Sequence, residues 1–192
     1  MKYSVAVLPG DGIGPEIMSE ALKVLDVVQS KYDIELSYTH ALVGGAAYDE
    51  FGEHFPKVTL DVCSKSDAVL FGSVGGPVAE QHLPKWHKCE ANSLLGLRKA
   101  FAFFANLRPV VIYPELSSCC PLRSDIIAGG VDLIVVRELV GDIYFGEHSR
   151  SEVSGQIIAK DVAEYSEEQI TDIARVAFAL ADKRKKVLHS VD

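Results

Sequence analysis

Three arginines stand out in the middle of the sequence because each lies beside an apolar run. Arg98, Arg108 and Arg137 all fall between Glu90 and Tyr144. A guanidinium group is planar, permanently charged and able to pair bidentately with a carboxylate. Burying it is costly unless an anion meets it. The grouping therefore predicts a pocket for a small ligand with several carboxylates. For any one arginine, a surface salt bridge or a side chain with its charged end in water is the simpler explanation.

Five motifs surround these arginines and occur in a fixed order along the chain. They are LPGDGIGPE at 8–16, GSVGGP at 72–77, LLGLRK at 94–99, FANLRP at 104–109 and VREL at 136–139. Together they resemble the β-decarboxylating dehydrogenases, the family of isocitrate and isopropylmalate dehydrogenases. The similarity extends from Val5 to Asp192 and is looser from Arg150 to Asp161. Within the family it is greatest for the branch that acts on 3-isopropylmalate in leucine biosynthesis.

The resemblance implies a substrate site and a reaction. Arg98, Arg108 and Arg137 are expected to hold the malate carboxylates, and Tyr144 is expected to help deliver the final proton as a catalytic residue. Oxidation of a 2-hydroxy acid needs a hydride acceptor and a base. A metal ion stabilises the enolate that remains after CO2 departs. The family uses NAD as the acceptor and Mg2+ or Mn2+ as the metal.

The cofactor is expected at the glycine-rich loop from Gly72 to Glu90. By resemblance, Gly75 and Gly76 belong to the NAD site, and Glu90 lies near the nicotinamide ribose. The spacing between Pro77 and the first arginine is about one residue longer than is usual in the family. A mobile surface loop is the simpler alternative for this segment.

The identity of the substrate can be argued from two positions before the first arginine. Isocitrate enzymes of the family carry serine six residues and asparagine four residues before it, where this chain has Asn92 and Leu94. Leu94 cannot hydrogen-bond a carboxylate but can pack on an isopropyl group, which contributes on the order of 1–3 kcal/mol. The expected substrate is therefore 3-isopropylmalate, although Asn92 is not the residue usual in that branch.

The glycine turn near the amino terminus has a different role from a phosphate loop. A dinucleotide fingerprint that begins at Gly10 would need glycine where Pro15 stands, and no G-K-[ST] completes a P-loop. Pro15 instead suits the first turn of a helix, where its missing N–H costs nothing. We predict a tight connection between a strand and a helix, close to the cofactor.

The hydrophobic pattern predicts an α/β fold with a parallel sheet, because near-continuous apolar strands alternate with helices. By resemblance, residues 1–102 form part of a first, cofactor-side domain. Residues 103–192 form an incomplete second domain for substrate binding and dimerisation, with an arm near 146–163. Strands are predicted at 4–8, 34–39, 68–71, 107–113, 131–136, 155–163 and from 187, with an extended piece at 143–145. Helices are predicted from 15, at 56–64, at 91–103 and after a capping box that begins at 166.

Composition narrows the class of protein. The 192 residues are 48% hydrophobic and 24% charged, with a net charge of −8. An acidic chain without a basic patch argues against nucleic acid or an anionic membrane as partner. The four cysteines form no C-x-x-C pair, which favours a reduced, cytoplasmic setting.

The expected activity depends on groups that this sequence does not contain. In the family, the lysine base and the aspartates that bind the metal follow the segment matched here, so no metal ligand is assigned. Family members are homodimers. We therefore expect this chain to be the amino-terminal part of such a dehydrogenase and inactive by itself. Alternatives are a non-catalytic remnant that only binds ligand or associates with subunits, and a related tartrate- or isocitrate-type enzyme.

Overall fold

The computed structural model describes residues 1–191, and the chain divides into two compact units, one at Met1–Phe101 and one that starts at Ala102. The first unit is built on a parallel sheet with the strand order β2-β1-β3. Its strands are β1 (Lys2–Gly10), β2 (Glu35–His40) and β3 (Ala68–Ser73). Its helices are α1 (Gly14–Lys31), α2 (Gly45–Phe51), α3 (Lys57–Ser64) and α4 (Gly96–Ala100).

The central strand β1 is apolar on both faces because both faces are covered. Successive side chains of a strand point to opposite faces. Ala6 and Leu8 belong to one buried cluster, and Val5 and Val7 belong to another that includes Met18 of α1. This is the burial expected of a strand in the middle of a parallel sheet. The predicted parallel α/β fold is therefore confirmed for the first unit.

The second unit is antiparallel. Strand β4 (Ala105–Ile112) pairs along its whole length with β5 (Val131–Glu138), and β6 (His148–Val153) pairs with β7 (Gln156–Asp161) as a hairpin. Two helices, α5 (Ser124–Ile127) and α6 (Glu167–Asp182), complete the unit. The capping box predicted for α6 is present.

Three local predictions were wrong or incomplete, and several short elements, α2, α5 and β6, were not predicted. The piece at 143–145 is a turn rather than an extended segment, since the N–H groups of Phe145 and Gly146 both donate to the Asp142 carbonyl. The helix predicted at 91–103 ends at Ala100 and opens with a π-helical turn. Residues 187–191 do not form a strand, because no other strand of the described chain pairs with them. Strand β6 was not predicted because its residues, HSRSEV, show little apolar alternation.

Candidate functional site

A buried carboxylate lies where β1 ends. Asp11 is 6% exposed, and its oxygens accept backbone hydrogen bonds from Gly45 (2.8 Å), Ala46 (2.8 Å) and Gly75 (3.1 Å). The first two donors open α2, which follows β2, and the third follows β3. The carboxyl ends of three parallel strands thus meet at one side chain, which is the edge where α/β sheets place their ligand sites.

The backbone of Asp11, like its side chain, is held by hydrogen bonds to a neighbouring segment. The Asp11 N–H donates to the Ser73 carbonyl at 2.7 Å, and the Ser73 hydroxyl donates to the Asp11 carbonyl at 2.8 Å. Gly44 has a φ of +77°, and a Cβ there would lie 2.2 Å from the Asp11 carboxylate. Glycine is required at that position both for its conformation and for space.

The two glycines predicted to bind the cofactor differ in their surroundings. A Cβ added to Gly75, which has a φ of +119°, would meet nothing within 4 Å. A Cβ on Gly76 would lie 2.1 Å from the indole of Trp86. The backbone at Gly75 is therefore open to a ligand, whereas Gly76 is covered by an aromatic ring.

The segment that leads to Glu90 is held by Cys89. This cysteine is 4% exposed, and its Sγ lies 3.8 Å from an Asp11 carboxylate oxygen. Burial raises the pKa of the Cys89 thiol, and the Asp11 charge adds to the effect. Asp11 thus contacts both parts of the predicted cofactor loop, the part at Gly75 and the part next to Glu90. Glu90 itself is exposed.

The π-helical turn Ala91–Leu95 follows Glu90 and carries Leu94. Such turns are rare and occur frequently at functional sites. Two side chains anchor this one. The Ser93 hydroxyl donates to the Cys89 carbonyl at 2.5 Å, and the Asn92 amide donates to Nδ1 of His54 at 3.3 Å. The turn takes up one more residue than an α-helical turn would. This suits the spacing between Pro77 and Arg98, which is about one residue longer than is usual in the family.

His54 connects three segments of the first unit. Its Nε2 lies 2.7 Å from the Lys85 carbonyl and therefore carries the proton, which leaves Nδ1 to accept from Asn92. Its ring packs on Tyr48 with centroids 4.9 Å apart. A cleft of about 540 Å³ lies beside these residues. Its lining includes none of the predicted binding residues.

In the first unit, Arg98 lies on α4 and is partly buried, as is Leu94 one turn before it. Their spacing of four residues places both on the same side of the helical segment. The first unit thus contains the predicted cofactor residues together with Leu94 and Arg98.

The other two arginines lie on one face of the β4–β5 pair. Arg137 is directly opposite Asn106, and Arg108 lies two residues from Asn106 on the same face. The Nε of Arg108 donates to Oδ1 of Asn106 at 2.8 Å. The guanidinium carbon of Arg137 lies 5.2 Å from the centroid of the Tyr144 ring, a cation–π contact. The second unit therefore groups two of the predicted carboxylate-binding residues with the predicted proton donor, a residue that is 53% exposed.

The turn that presents Tyr144 is fixed by Glu138. This carboxylate accepts from the N–H of Val140 at 2.7 Å and of Gly141 at 2.9 Å. Residue 142 then has a φ of +67°, in the left-handed region. The charge of Glu138 is used locally to hold the turn, so we assign it a structural role.

Sequence reasoning did not identify Asp11 or His54. A signal for Asp11 was present, because an acidic residue between two glycines at the end of a strand lies at the ligand edge of a parallel sheet. His54 had no such signal, because its partners are distant in sequence. Across residues 1–191, no three His, Cys, Asp or Glu side chains are grouped to hold a metal ion. Among the same residues, no helix is long and apolar enough to cross a membrane.

The fold and this candidate site define a mixed α/β protein in which glycine turns follow three parallel strands. Comparison with known proteins gives the family. The model of the isocitrate/isopropylmalate dehydrogenase family matches residues 4–192, and the chain belongs to that family.

Relatives and solved structures agree with this assignment. A 3-isopropylmalate dehydrogenase of Mannheimia succiniciproducens is 53% identical over 99% of this chain and 53% of its own length. One from Escherichia coli K12 is 50% identical over 99% of this chain and 52% of its own length. The chain thus spans about half the length of these relatives. A β-decarboxylating dehydrogenase of Thermococcus kodakarensis superimposes with a TM-score of 0.65 at 31% identity, covering 95% of this chain and 46% of that one. An isocitrate dehydrogenase of Methylococcus capsulatus superimposes with a TM-score of 0.71 at 25% identity, covering 94% and 48% respectively.

Proposed function

We propose that this chain is part of an NAD-dependent dehydrogenase that oxidises and decarboxylates (2R,3S)-3-isopropylmalate to 4-methyl-2-oxopentanoate in leucine biosynthesis. The observation that carries the proposal is 50–53% identity, over 99% of the chain, to proteins named 3-isopropylmalate dehydrogenase. Among the alternatives, an isocitrate-type enzyme has less support, because Leu94 cannot pair with the third carboxylate of isocitrate.

Within this proposal, the arginines bind and orient the substrate. Arg108 and Arg137 present guanidinium groups from one face of β4–β5, and such groups suit planar carboxylates. Arg98 binds a malate carboxylate from α4. Leu94 packs on the isopropyl branch and leaves a carboxylate in that place unpaired, so that it selects the apolar substrate.

Tyr144 moves a proton at its hydroxyl group. It lies on a turn fixed by Glu138, and its ring rests against the Arg137 guanidinium. An anchored phenol beside a carboxylate-binding arginine is well placed to protonate the enolate carbon after CO2 departs. Arg137 in this arrangement both binds the substrate and orients the acid.

The first unit suits the NAD cofactor, which accepts the hydride when bound. The open space in front of Gly75 permits a close approach of the backbone to a ligand. The exposed carboxylate of Glu90 is available to accept from ribose hydroxyls. The family relationship implies Mg2+ or Mn2+ as well. The described residues form no ligand set for it, so we assign no step to a metal.

Three properties of the whole protein are also proposed. Both strands of the β6–β7 hairpin are exposed along their entire length, which suits an arm that a second copy covers in a homodimer. All four cysteines are free thiols, which suits the cytoplasm. The net charge of −8 does not favour nucleic acid or an anionic membrane as partner.

Binding of 3-isopropylmalate to the Arg98→Ala and Arg137→Ala variants tests the proposal. Removing one charged hydrogen-bond partner should weaken binding about 10- to 100-fold by isothermal titration calorimetry. Arg175→Ala is the matched control, because Arg175 lies on α6 and pairs with Asp172 at 3.1 Å. Unchanged affinity in Arg98→Ala, or isocitrate binding as tight as that of isopropylmalate, would contradict the assignment.

Turnover separates the dehydrogenase from a non-catalytic remnant. We expect the 192-residue chain alone to form no NADH from isopropylmalate. If NADH forms, the remnant alternative is excluded, and the expectation that the chain lacks its base is wrong.

A further inference from the structure

The clearest unassigned feature of the molecule is the coordination of Asp11 by backbone amides. The side chain is almost fully buried, and three N–H groups from segments 34 to 64 residues away in sequence converge on its two oxygens. A buried charge requires such donors, because an uncompensated carboxylate in the interior is strongly destabilising. The two segments that supply these donors, the start of α2 and the loop at Gly75, are therefore held in place by one anion.

One of these segments, the loop at Gly75, belongs to the proposed cofactor site, and the other packs on the same Trp86 ring as Gly76. Gly75 donates its N–H to Asp11, and the position that a Cβ would occupy at Gly75 lies in open space. The opening residues of α2 donate to the same carboxylate, and Cys89 contacts it from the stretch that precedes Glu90. Asp11 thus fixes the cofactor loop at both of its ends. It also occupies amides that could otherwise bind a phosphate.

We propose that Asp11 is the positioning residue of the cofactor site, and this inference rests on the function proposed above. Its carboxylate does not touch the nucleotide. It holds the Gly75 backbone and the Cys89–Glu90 segment at a fixed separation, so that a dinucleotide meets a preorganised surface. Loss of its charge lets the two parts of the loop move apart, which weakens nucleotide binding, while Arg108 and Arg137, which belong to the second unit, keep their local contacts.

The chain contains its own reporter for this site. Trp86 is the only tryptophan, and its ring lies against both Gly45 and Gly76. Tryptophan emission therefore comes from the edge of the proposed cofactor site alone. Its quenching by NADH measures nucleotide affinity on the intact chain, and calorimetry measures 3-isopropylmalate affinity in parallel.

The test compares Asp11→Asn with Asp67→Asn. The Asp11→Asn substitution keeps the size of the side chain and removes its charge. Asp67 is the matched control, because it also holds β1, but near the amino-terminal end of that strand. It accepts hydrogen bonds from the Ser4 N–H at 2.7 Å and from the Ser4 hydroxyl at 2.8 Å. We expect Asp11→Asn to weaken NADH binding about tenfold or more and to weaken isopropylmalate binding by a smaller factor. Asp67→Asn should change neither.

A second measurement needs no ligand. The Gly75 and Ala46 amides should exchange with solvent faster in Asp11→Asn than in the unmodified chain, as followed by NMR. If Asp11→Asn does not fold, Asp11→Glu keeps the charge but displaces it by one methylene, and the same loss of NADH affinity is expected.

The outcomes separate the two proposals. Unchanged NADH affinity in Asp11→Asn overturns the positioning role and leaves the proposed function standing. An equal loss of NADH and isopropylmalate binding also overturns it, because that result shows general destabilisation. Failure of the unmodified chain to bind NADH overturns the proposed cofactor site and the positioning role with it.

Discussion

At the scale of single residues, two aspartates fasten the ends of the central strand. Asp11 acts where β1 ends, and Asp67 acts near its start by accepting two hydrogen bonds from Ser4. The two differ in burial, since Asp11 is enclosed and Asp67 is exposed. Both aspartates connect segments that are far apart in sequence, because their side chains accept hydrogen bonds from backbone N–H groups of other segments.

Asp67 should make the folding stability of the chain depend on pH in the acidic range. The Ser4 N–H, followed by the Ser4 hydroxyl, lowers the pKa of Asp67 below its ordinary 3.8. A carboxyl group whose pKa is lower in the folded state stabilises fully at pH above its unfolded pKa and loses this effect as the pH falls through the folded pKa. The difference in urea midpoint between the unmodified chain and Asp67→Asn should be constant at neutral pH and shrink below about pH 3.8.

Ser4→Ala provides the control for this titration, because it removes the hydroxyl donor and leaves the N–H. In the Ser4→Ala background, the pH-dependent part of the Asp67 effect should be smaller. A midpoint difference that stays the same from about pH 7 to about pH 3 would show that Asp67 is not linked to folding through its charge.

At the scale of elements, the ends of helices account for several features of the fold. The π-helical turn Ala91–Leu95 takes up an additional residue between the cofactor loop and α4. Helix α6 begins with a reciprocal capping box. The Gln169 N–H donates to the Ser166 hydroxyl at 3.2 Å, and the Ser166 N–H donates to the Gln169 side chain at 2.8 Å. The same glutamine donates to the Val140 carbonyl at 3.4 Å, which links the cap to the turn before Tyr144.

Removal of this cap should therefore destabilise the start of α6. We expect Ser166→Ala to reduce the free energy of unfolding by about 1 kcal/mol, as measured by urea denaturation followed by circular dichroism. Ser166→Asp, which retains an N-cap acceptor, should restore most of the loss. Ser151→Ala, at an exposed position of β6, is the matched control and should have little effect. A loss of the same size in Ser151→Ala would argue against capping as the cause.

At the scale of the whole molecule, the apolar core is distributed unequally. Within the described residues, every buried apolar side chain except Leu139 belongs to the first unit. The second unit contains a two-stranded sheet and an exposed hairpin, and such pairs are only marginally stable without further packing. The second unit is therefore expected to open more readily than the first.

Limited proteolysis with thermolysin measures this difference. Cleavage should begin in the second unit and leave a resistant fragment that contains most of Met1–Phe101, identified by mass spectrometry. Val7→Ala, which creates a cavity in the core of the first unit, should remove that resistance. First cuts within β1 or α1 of the unmodified chain would contradict the unequal distribution of stability.

The sequence by itself determined the elements whose signals are local. The apolar run at 5–8 predicted β1, Pro15 predicted the start of α1, and the Ser166–Gln169 pair predicted the cap of α6. The motifs around the three arginines were sufficient for the family, which the family match then confirmed. The assigned roles of those arginines, of Tyr144 and of the glycines remain predictions.

Only the tertiary structure decided which distant groups meet. The amides that surround Asp11 come from positions 34 and 64 residues later in the chain. The register of β4 with β5 sets Arg137 opposite Asn106, and a turn rather than a strand places Tyr144 beside it. Periodicity and capping act over a few residues and can be recognised in a window of sequence. Hydrogen bonds between segments depend on the whole arrangement of strands, which no short window contains.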